Sequence, residues 1–150
     1  MVARKQRIPV VLDTNVFVRA FKSRFPTSSN QRVLRLWLLE KRIQLIVCDD
    51  LIDEYVGVFQ ELLGMEDELI DQWQKRFAGD TRSTVVRLDR RYAESRDPDD
   101  NLLLATATAG QAAYLITNDR DLLELPASLR QTLKYRIVTP RQFLQTLGVS

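Results

Sequence analysis

The sequence predicts an α/β fold, a three-layer α/β/α sandwich with a Rossmann-like central parallel sheet of about five strands. Short and almost wholly apolar runs, such as 8–12 and 45–48, are typical of strands buried on both faces of a parallel sheet. These runs alternate with segments whose apolar residues recur at helical spacing, and such alternation produces a sheet covered by helices on both faces. Since no linker or internal repeat divides the 150 residues, we expect one domain spanning 1–150.

The N-terminal half predicts two strands and four amphipathic helices. The strands are 8–12 and 45–48, and the helices are 16–21, 31–41, 51–63 and 65–78. We expect Asn30 to cap the second helix and Asp49-Asp50 to cap the third, because short polar side chains accept hydrogen bonds from the first helical turn. The polar segment 22–30 predicts a loop, and Gly64 is expected to end the third helix.

The C-terminal half predicts three further strands, 84–88, 114–117 and 135–138. A charged loop is expected at 89–99, followed by a helix dense in Leu and Ala at 100–109 that Gly110 closes. A short helical turn is predicted at 122–125, before Pro126. The final helix, 140–147, should begin at Thr139-Pro140 and end before Gly148.

The composition indicates an ordinary globular protein, because 45% of the residues are hydrophobic and 28% are charged. No apolar run reaches the length of a membrane span, and residues 1–7 lack the apolar core of a signal peptide. A single cysteine, Cys48, cannot form an internal disulfide and is expected in the core. We therefore expect a cytoplasmic protein without membrane partners.

The absence of histidine excludes several catalytic classes. Ser-His-Asp and Cys-His catalysis, zinc sites with histidine ligands and nucleases that use a histidine pair are all ruled out. Any catalysis must use carboxylates, hydroxyls, amides, Lys or Arg. Among hydrolytic mechanisms, this favours carboxylates that hold hard metal ions. The net charge of +2 is small, but the basic residues are mostly arginines, which suit phosphate.

Four acids, Asp13, Glu54, Asp100 and Asp119, stand near the carboxyl ends of predicted strands or at the start of a helix between them. These strand ends share one edge of a parallel sheet, where ligands bind in open α/β folds. The alternative for each acid alone is a helix cap or a surface charge. Carboxylates that converge repel one another, so such a site would require a cation, and Mg²⁺ or Mn²⁺ would bind these hard oxygen ligands.

The segments around these acids resemble the four acidic motifs of PIN domains. The segments are Leu12-Asp13-Thr14-Asn15, Leu51-Ile52-Asp53-Glu54, 100–107 and Thr117-Asn118-Asp119-Arg120-Asp121-Leu122. The resemblance continues to 139–144 and so covers nearly the whole chain. Within the family, the chain is most similar to the small prokaryotic VapC-like toxins of toxin–antitoxin pairs.

The resemblance implies a metal-dependent endoribonuclease that cleaves single-stranded RNA by metal-activated water, with Mg²⁺ or Mn²⁺ as cofactor. It also implies a homodimer and, for a toxin, a cognate antitoxin. Carried over by motif, the metal-binding and catalytic acids are Asp13, Glu54, Asp100 and Asp119; Thr14 and Asn15 support Asp13, and Asp97 and Asp121 are accessories. Within the run 97–100 we choose Asp100 because it alone directly precedes the predicted helix, which leaves the role of Asp99 open.

Three other functions are compatible with parts of this pattern. An aspartyl-phosphate phosphatase of the haloacid dehalogenase type needs a second acid two residues after the first, where this chain has Asn15. A response-regulator receiver needs an acid pair after its first strand, and Asp13 stands alone there. A non-catalytic PIN-like protein that binds RNA or a partner should have lost an acid, and all four are present. An enzyme is therefore favoured, either a toxin or a housekeeping RNA- or DNA-processing nuclease.

Overall fold

The computed structural model describes residues 6–25, 28–88 and 98–149, except for the side chains of 98–101. Its strands are β1 (Ile8–Leu12), β2 (Ile43–Val47), β3 (Ser83–Val85), β4 (Tyr114–Ile116) and β5 (Arg136–Val138). Its helices are α1 (Thr14–Lys22), α2 (Ser29–Leu38), α3 (Asp49–Glu61), α4 (Asp67–Gly79), α5 (Pro98–Ala109), α6 (Arg120–Leu123), α7 (Ala127–Arg130) and α8 (Pro140–Leu147). In this part of the chain no helix is long and apolar enough to cross a membrane.

The five strands form one sheet in the order β3-β2-β1-β4-β5, and every neighbouring pair is parallel. The connections from β1 to β3 run toward one edge of the sheet, and those from β3 to β5 run back toward the other. Because crossovers between parallel strands are right-handed, α1–α4 cover one face and α5 covers the opposite face. The three-layer α/β/α prediction is confirmed.

β1 lies at the centre of the sheet, and its burial agrees with this position. Val10, Val11 and Leu12 have no exposed surface. On one side of the sheet, α5 packs against β1, β2 and β4. Gly110 follows α5 where the chain passes close to the sheet: a Cβ atom there would lie 2.1 Å from Cγ2 of Ile46. Glycine at this position thus permits close packing and does more than close the helix.

On the other side of the sheet, an aromatic cluster fills the space between α1, α2, α3 and α4. Its members are Phe17, Phe21, Trp37, Tyr55, Phe59, Trp73 and Phe77, and Phe17 lies within 6.4 Å, between ring centroids, of each of the others. The Tyr55 hydroxyl donates a hydrogen bond to the carbonyl oxygen of Leu12. The cluster therefore holds α3 against the end of β1, immediately before Asp13.

Two helix caps in the N-terminal half differ from the predictions. The hydroxyl of Ser28 caps α2 by accepting a hydrogen bond from the backbone of Gln31 at 3.1 Å. Asn30, the predicted cap, lies in the first turn instead. Cys48 occupies the cap position of α3, and its side chain makes no capping hydrogen bond to the helix; Asp49 and Asp50 lie in the first turn. Acids there interact favourably with the positive end of the helix.

The C-terminal half contains one helix that the sequence did not predict, and several predicted bounds are shifted. The largest shift in a strand is in β3, which ends at Val85 and not at residue 88. The unpredicted helix, α7, has only four residues, too few to show a helical period. The predicted turn 122–125 is α6, which begins earlier, after Asp119. α5 begins at Pro98 because proline is well suited to a first helical turn, so 98–99 are not loop. The rest of the predicted loop, 89–97, lies outside the described residues.

Candidate active site

Three of the predicted acids, Asp13, Glu54 and Asp119, lie at the point where the strand order of the sheet reverses. β1 has β2 on one side and β4 on the other, so the chain leaves the sheet in opposite directions after these strands. Ligands of open α/β sheets bind at such a switch point, beyond the carboxyl ends of the strands. A cleft of about 210 Å³ lies there, and it is lined by Asp13, Thr14, Glu54, Val58, Leu103, Asp119 and Leu122.

Asp13 follows β1 directly and caps α1. Its Oδ1 accepts a hydrogen bond from the backbone of Asn15 at 3.4 Å, and its Oδ2 accepts from Asn15 Nδ2 at 3.2 Å and from Thr117 Oγ1 at 2.7 Å. Burial raises the pKa of Asp13, and the charge of Asp119 raises it further, although the hydrogen bonds oppose the change. Its negative charge is therefore only partly compensated by the protein.

Glu54 reaches the cleft from α3. Its Oε2 accepts a hydrogen bond of 2.8 Å from the hydroxyl of Thr14, the first residue of α1. Tyr55, the next residue in α3, is anchored to the end of β1 through Leu12. α3 therefore brings Glu54 to the same strand end as Asp13, although about forty residues separate the two acids.

Thr117 connects the two strand ends and was not among the predicted site residues. Its hydroxyl donates to Asp13 and accepts a hydrogen bond of 2.9 Å from the backbone of Asp119, whose Oδ1 caps α6 through the backbone of Asp121 at 3.0 Å. The side chain is fully buried. The signal in the sequence was a hydroxyl at the end of an apolar strand, directly before Asn118-Asp119.

A chain of amides supports Asp13 from the side of α2. The Oδ1 of Asn15 accepts hydrogen bonds from the backbone and from Nδ2 of Asn118, at 3.2 and 3.3 Å. Nδ2 of Asn118 also donates to Oδ1 of Asn30 at 2.8 Å. Asn15 thus lies beside Asp13, where the sequence placed it, while the hydroxyl of Thr14 contacts Glu54. Asn30 and Asn118 were not predicted in this role.

The other predicted acids have different positions. Asp121 lies in the first turn of α6 and is exposed. Asp99 and Asp100 both lie in the first turn of α5, so adjacency to the helix does not distinguish them as the sequence suggested. Their side chains, and the whole of Asp97, lie outside the described residues. Leu103, one turn after Asp100 in α5, lines the cleft.

The carboxylates of the cleft suit a metal ion that also binds water and substrate. Among the described side chains, no three carboxylates or thiolates are gathered closely enough to hold a metal ion by themselves. Asp13, Glu54 and Asp119 instead line an open cleft. Mg²⁺ is commonly held by one or two carboxylates, several waters and substrate phosphates, so hard oxygen donors in an open cleft suit it.

Comparison with known proteins identifies the family. Residues 9–121 match the family model of the PIN domain. The chain belongs to the PIN domain family. PIN domains are generally nucleases and typically use divalent metals. The acidic cleft therefore occurs in a member of a family of nucleases. Membership of this family supports nucleic acid as the class of substrate.

Two further similarities extend along nearly all of this PIN domain chain. It is 27% identical to the uncharacterized protein MJ1680 of Methanocaldococcus jannaschii, over 94% of this chain and 92% of that protein. The crystal structure of PAE2754 from Pyrobaculum aerophilum superposes with a TM-score of 0.54 at 13% identity, covering 95% of this chain and 90% of the other. At that identity, the second similarity supports the fold alone.

Proposed function

We propose that this PIN domain is an Mg²⁺- or Mn²⁺-dependent endoribonuclease that hydrolyses single-stranded RNA. The observation that carries the proposal is the convergence of Asp13, Glu54 and Asp119 in one cleft at the switch point of the sheet. Three acids from separate segments share that cleft. Carboxylate oxygens that converge in one cleft suit a hard cation and the phosphate that accompanies it.

Asp13, Glu54 and Asp119 would supply carboxylate ligands in the open cleft, where waters and substrate phosphate would complete the coordination of the metal, and we propose Asp100 as a fourth acid of the site because it lies one helical turn before Leu103. A bound ion would supply charge neutralisation at the phosphate and a lowered pKa for a bound water. The chain's own contribution is orientation. Thr117 and Asn15 hold the Asp13 carboxylate, and Thr14 holds that of Glu54, so both are fixed before substrate arrives.

The test is cleavage of a fluorescent single-stranded RNA with and without metal. We expect cleavage in millimolar Mg²⁺ or Mn²⁺ and none in excess EDTA. The products should carry a 5′-phosphate and a 3′-hydroxyl, as expected when water attacks phosphorus and the 3′-oxygen leaves. Undiminished cleavage in EDTA would contradict the proposal, and so would products that end in a 2′,3′-cyclic phosphate.

We further propose that the nuclease is the toxin of a toxin–antitoxin pair and acts as a homodimer. The support is the similarity of its four acidic motifs to those of VapC-like toxins. The test is induced expression in a bacterial host: the intact chain should arrest growth, and Asp13→Asn should not. Co-expression of a short gene found directly upstream should restore growth if that gene encodes the antitoxin. Growth unaffected by the intact, active enzyme would favour a housekeeping nuclease.

A further inference from the structure

A groove larger than the acidic cleft lies outside that cleft, along the free edge of β5. Its volume is about 600 Å³, and we call it the basic groove. Its polar lining comes from Arg130 in α7, Arg136 in β5, and Gln142, Gln145 and Thr146 in α8. The last three lie on one side of α8, because residues three and four apart in a helix are neighbours.

The groove is suited to an anion with several phosphates. Two guanidinium groups line it, and none of its described lining residues carries a carboxylate. Within the described residues, neither Arg130 nor Arg136 forms an ion pair. A guanidinium group has five donors and binds phosphate through two of them at once, while amide and hydroxyl side chains add neutral donors. Arg130 uses Nη1 to donate to the carbonyl oxygen of Leu123 at 3.2 Å.

The basic groove is linked structurally to the acidic cleft. The backbone of Thr117, which holds Asp13, donates a hydrogen bond of 2.9 Å to the carbonyl oxygen of Val138 in the groove wall. Asp119 caps one end of α6, and Arg130 binds Leu123 at the other end. The length of α6 and the hydrogen bond from Arg130 to Leu123 together place the guanidinium of Arg130 about 10 Å from the backbone of Asp119. A few nucleotides of a single strand span that distance.

We infer that the basic groove binds the sugar–phosphate backbone of the substrate on one side of the scissile bond, through Arg130 and Arg136. This inference rests on the proposed function, since it identifies how the same site holds a single strand. An acidic peptide added to β5 is the rival occupant. Nucleic acid is favoured because β5 has only three residues, because the walls carry amide and hydroxyl donors, and because Val138 in the groove wall is hydrogen-bonded to Thr117, which holds Asp13.

The binding test measures fluorescence anisotropy of a labelled single-stranded RNA of about twelve nucleotides, in EDTA, across a salt series. For single strands, each lost phosphate contact reduces the steepness of the plot of log K against log salt by about 0.7. If a variant and the unaltered protein bind equally at 1 M salt, the variant therefore binds roughly fivefold more weakly at 0.1 M salt. Arg130→Gln and Arg136→Gln should each show this loss, and the double variant twice the change in slope. Arg136→Gln tests the groove without altering the Leu123 contact.

The matched control is Arg87→Gln, which removes the same charge from an exposed residue beyond β3, at the opposite edge of the sheet. It should leave the slope unchanged. The inference is overturned if the double variant binds RNA like this control, or if the unaltered protein binds no RNA. It is also overturned if a peptide of alternating Glu and Val occupies the groove while RNA does not displace it.

A cleavage test separates this inference from the proposed function. With the twelve-nucleotide RNA, the double variant should raise KM with little change in kcat, because the groove holds the strand and does not touch the reacting phosphate. A trinucleotide, too short to reach the groove, should be cleaved as by the unaltered protein. If the double variant cleaves the RNA with an unchanged KM, the inference about the basic groove is wrong and the proposed function stands. If the double variant loses salt dependence in the binding test but the unaltered protein shows no metal-dependent cleavage, the groove inference is supported and the proposed function is wrong.

Discussion

The acidic cleft and the basic groove lie on the same sheet but are built differently. In the cleft, each of Asp13, Glu54 and Asp119 accepts a hydrogen bond from a neighbouring hydroxyl or backbone amide. In the groove, Arg130 and Arg136 are exposed, and the elements that carry them are three or four residues long. The cleft is thus organised before substrate binds, while the groove can adapt to a flexible strand. The reaction requires the acids to be held in a fixed geometry, whereas binding of the RNA sugar–phosphate backbone does not require this of the arginines.

The difference originates in what lies beneath each region. The acidic cleft stands on β1, whose last residue is held by Tyr55 of the aromatic cluster, so a well-packed core fixes its geometry. The basic groove stands on β5, an edge strand with a single sheet neighbour. Substitutions in the cleft should therefore change the rate of reaction, and substitutions in the groove should change binding.

The largest effect is expected from neutralising the acids. Asp13→Asn, Glu54→Gln, Asp100→Asn and Asp119→Asn should each reduce cleavage by more than about a hundredfold, because loss of a residue that merely supports a metal ligand already costs 10–100-fold. Each change keeps the size of the side chain and removes the charge. The measurement is kcat on the labelled RNA, with circular dichroism to check the fold.

Asp67→Asn is the matched control for these variants. Asp67 begins α4, and its side chain contacts only Gln60, at 3.3 Å, among the described hydrogen bonds. Activity should be retained. If the Asp67 variant loses as much activity as the others, the assay reports folding and not the site. If Asp100→Asn alone remains active, Asp100 is not the fourth acid of the site, and Asp97 and Asp99 should be tested next.

A smaller effect is expected from Thr117→Val. Valine has the same shape but cannot donate to Asp13 or accept from the backbone of Asp119, so it should lower kcat about 10–100-fold. Thr117→Ser should restore most of the activity, because serine keeps the hydroxyl. A valine variant with full activity would show that Asp13 and Asp119 hold their positions without this bridge. Equal loss in both variants would indicate a packing defect.

The sequence predicted those parts of the fold that follow from strong local patterns. Wholly apolar strands such as β1 and a helix with Pro at its start and Gly beyond its end, such as α8, leave few alternatives. The boundaries of α5 and the existence of α7 were not predicted. In α5 a proline could be assigned to a loop or to a first turn, and α7 is too short for a period.

The same limit applied to the candidate site. Asp13, Glu54 and Asp119 could be proposed because acids after strands share one sheet edge, which topology determines. Thr117, Asn30 and Asn118 could not, because their roles depend on which side chains meet across distant segments. Asn30 illustrates this, because it directly precedes the predicted helix 31–41 and was therefore expected to cap it. In the structure Ser28 caps α2, and the Oδ1 of Asn30 accepts a hydrogen bond from Asn118.

The smallest effect concerns the stability of the metal-free protein. Burial and the charge of Asp119 raise the pKa of Asp13 in the folded state above its value of 3.8 in the unfolded chain. A carboxyl group with a raised pKa stabilises the fold when protonated, and that contribution is lost as the pH rises through the folded pKa. At neutral pH the charged Asp13 therefore opposes folding. The unfavourable energy of the charged Asp13 side chain in the folded state is roughly 1–3 kcal/mol, so Asp13→Asn should raise Tm in EDTA by about 2–10 °C at pH 7.

Thermal unfolding across pH and Mn²⁺ concentration tests this prediction. The difference in Tm between Asp13→Asn and the unaltered protein should shrink as the pH falls below the folded pKa, because Asp13 is then neutral in both states. Mn²⁺ should raise the Tm of the unaltered protein, since a ligand that binds only the native state stabilises it, and should do so less for the variant. Asp119→Asn should behave similarly, because it removes the charge that repels Asp13. A variant that is less stable than the unaltered protein at pH 7, together with a Tm insensitive to Mn²⁺, would show that hydrogen bonding at Asp13 outweighs its charge and that the cleft holds no metal.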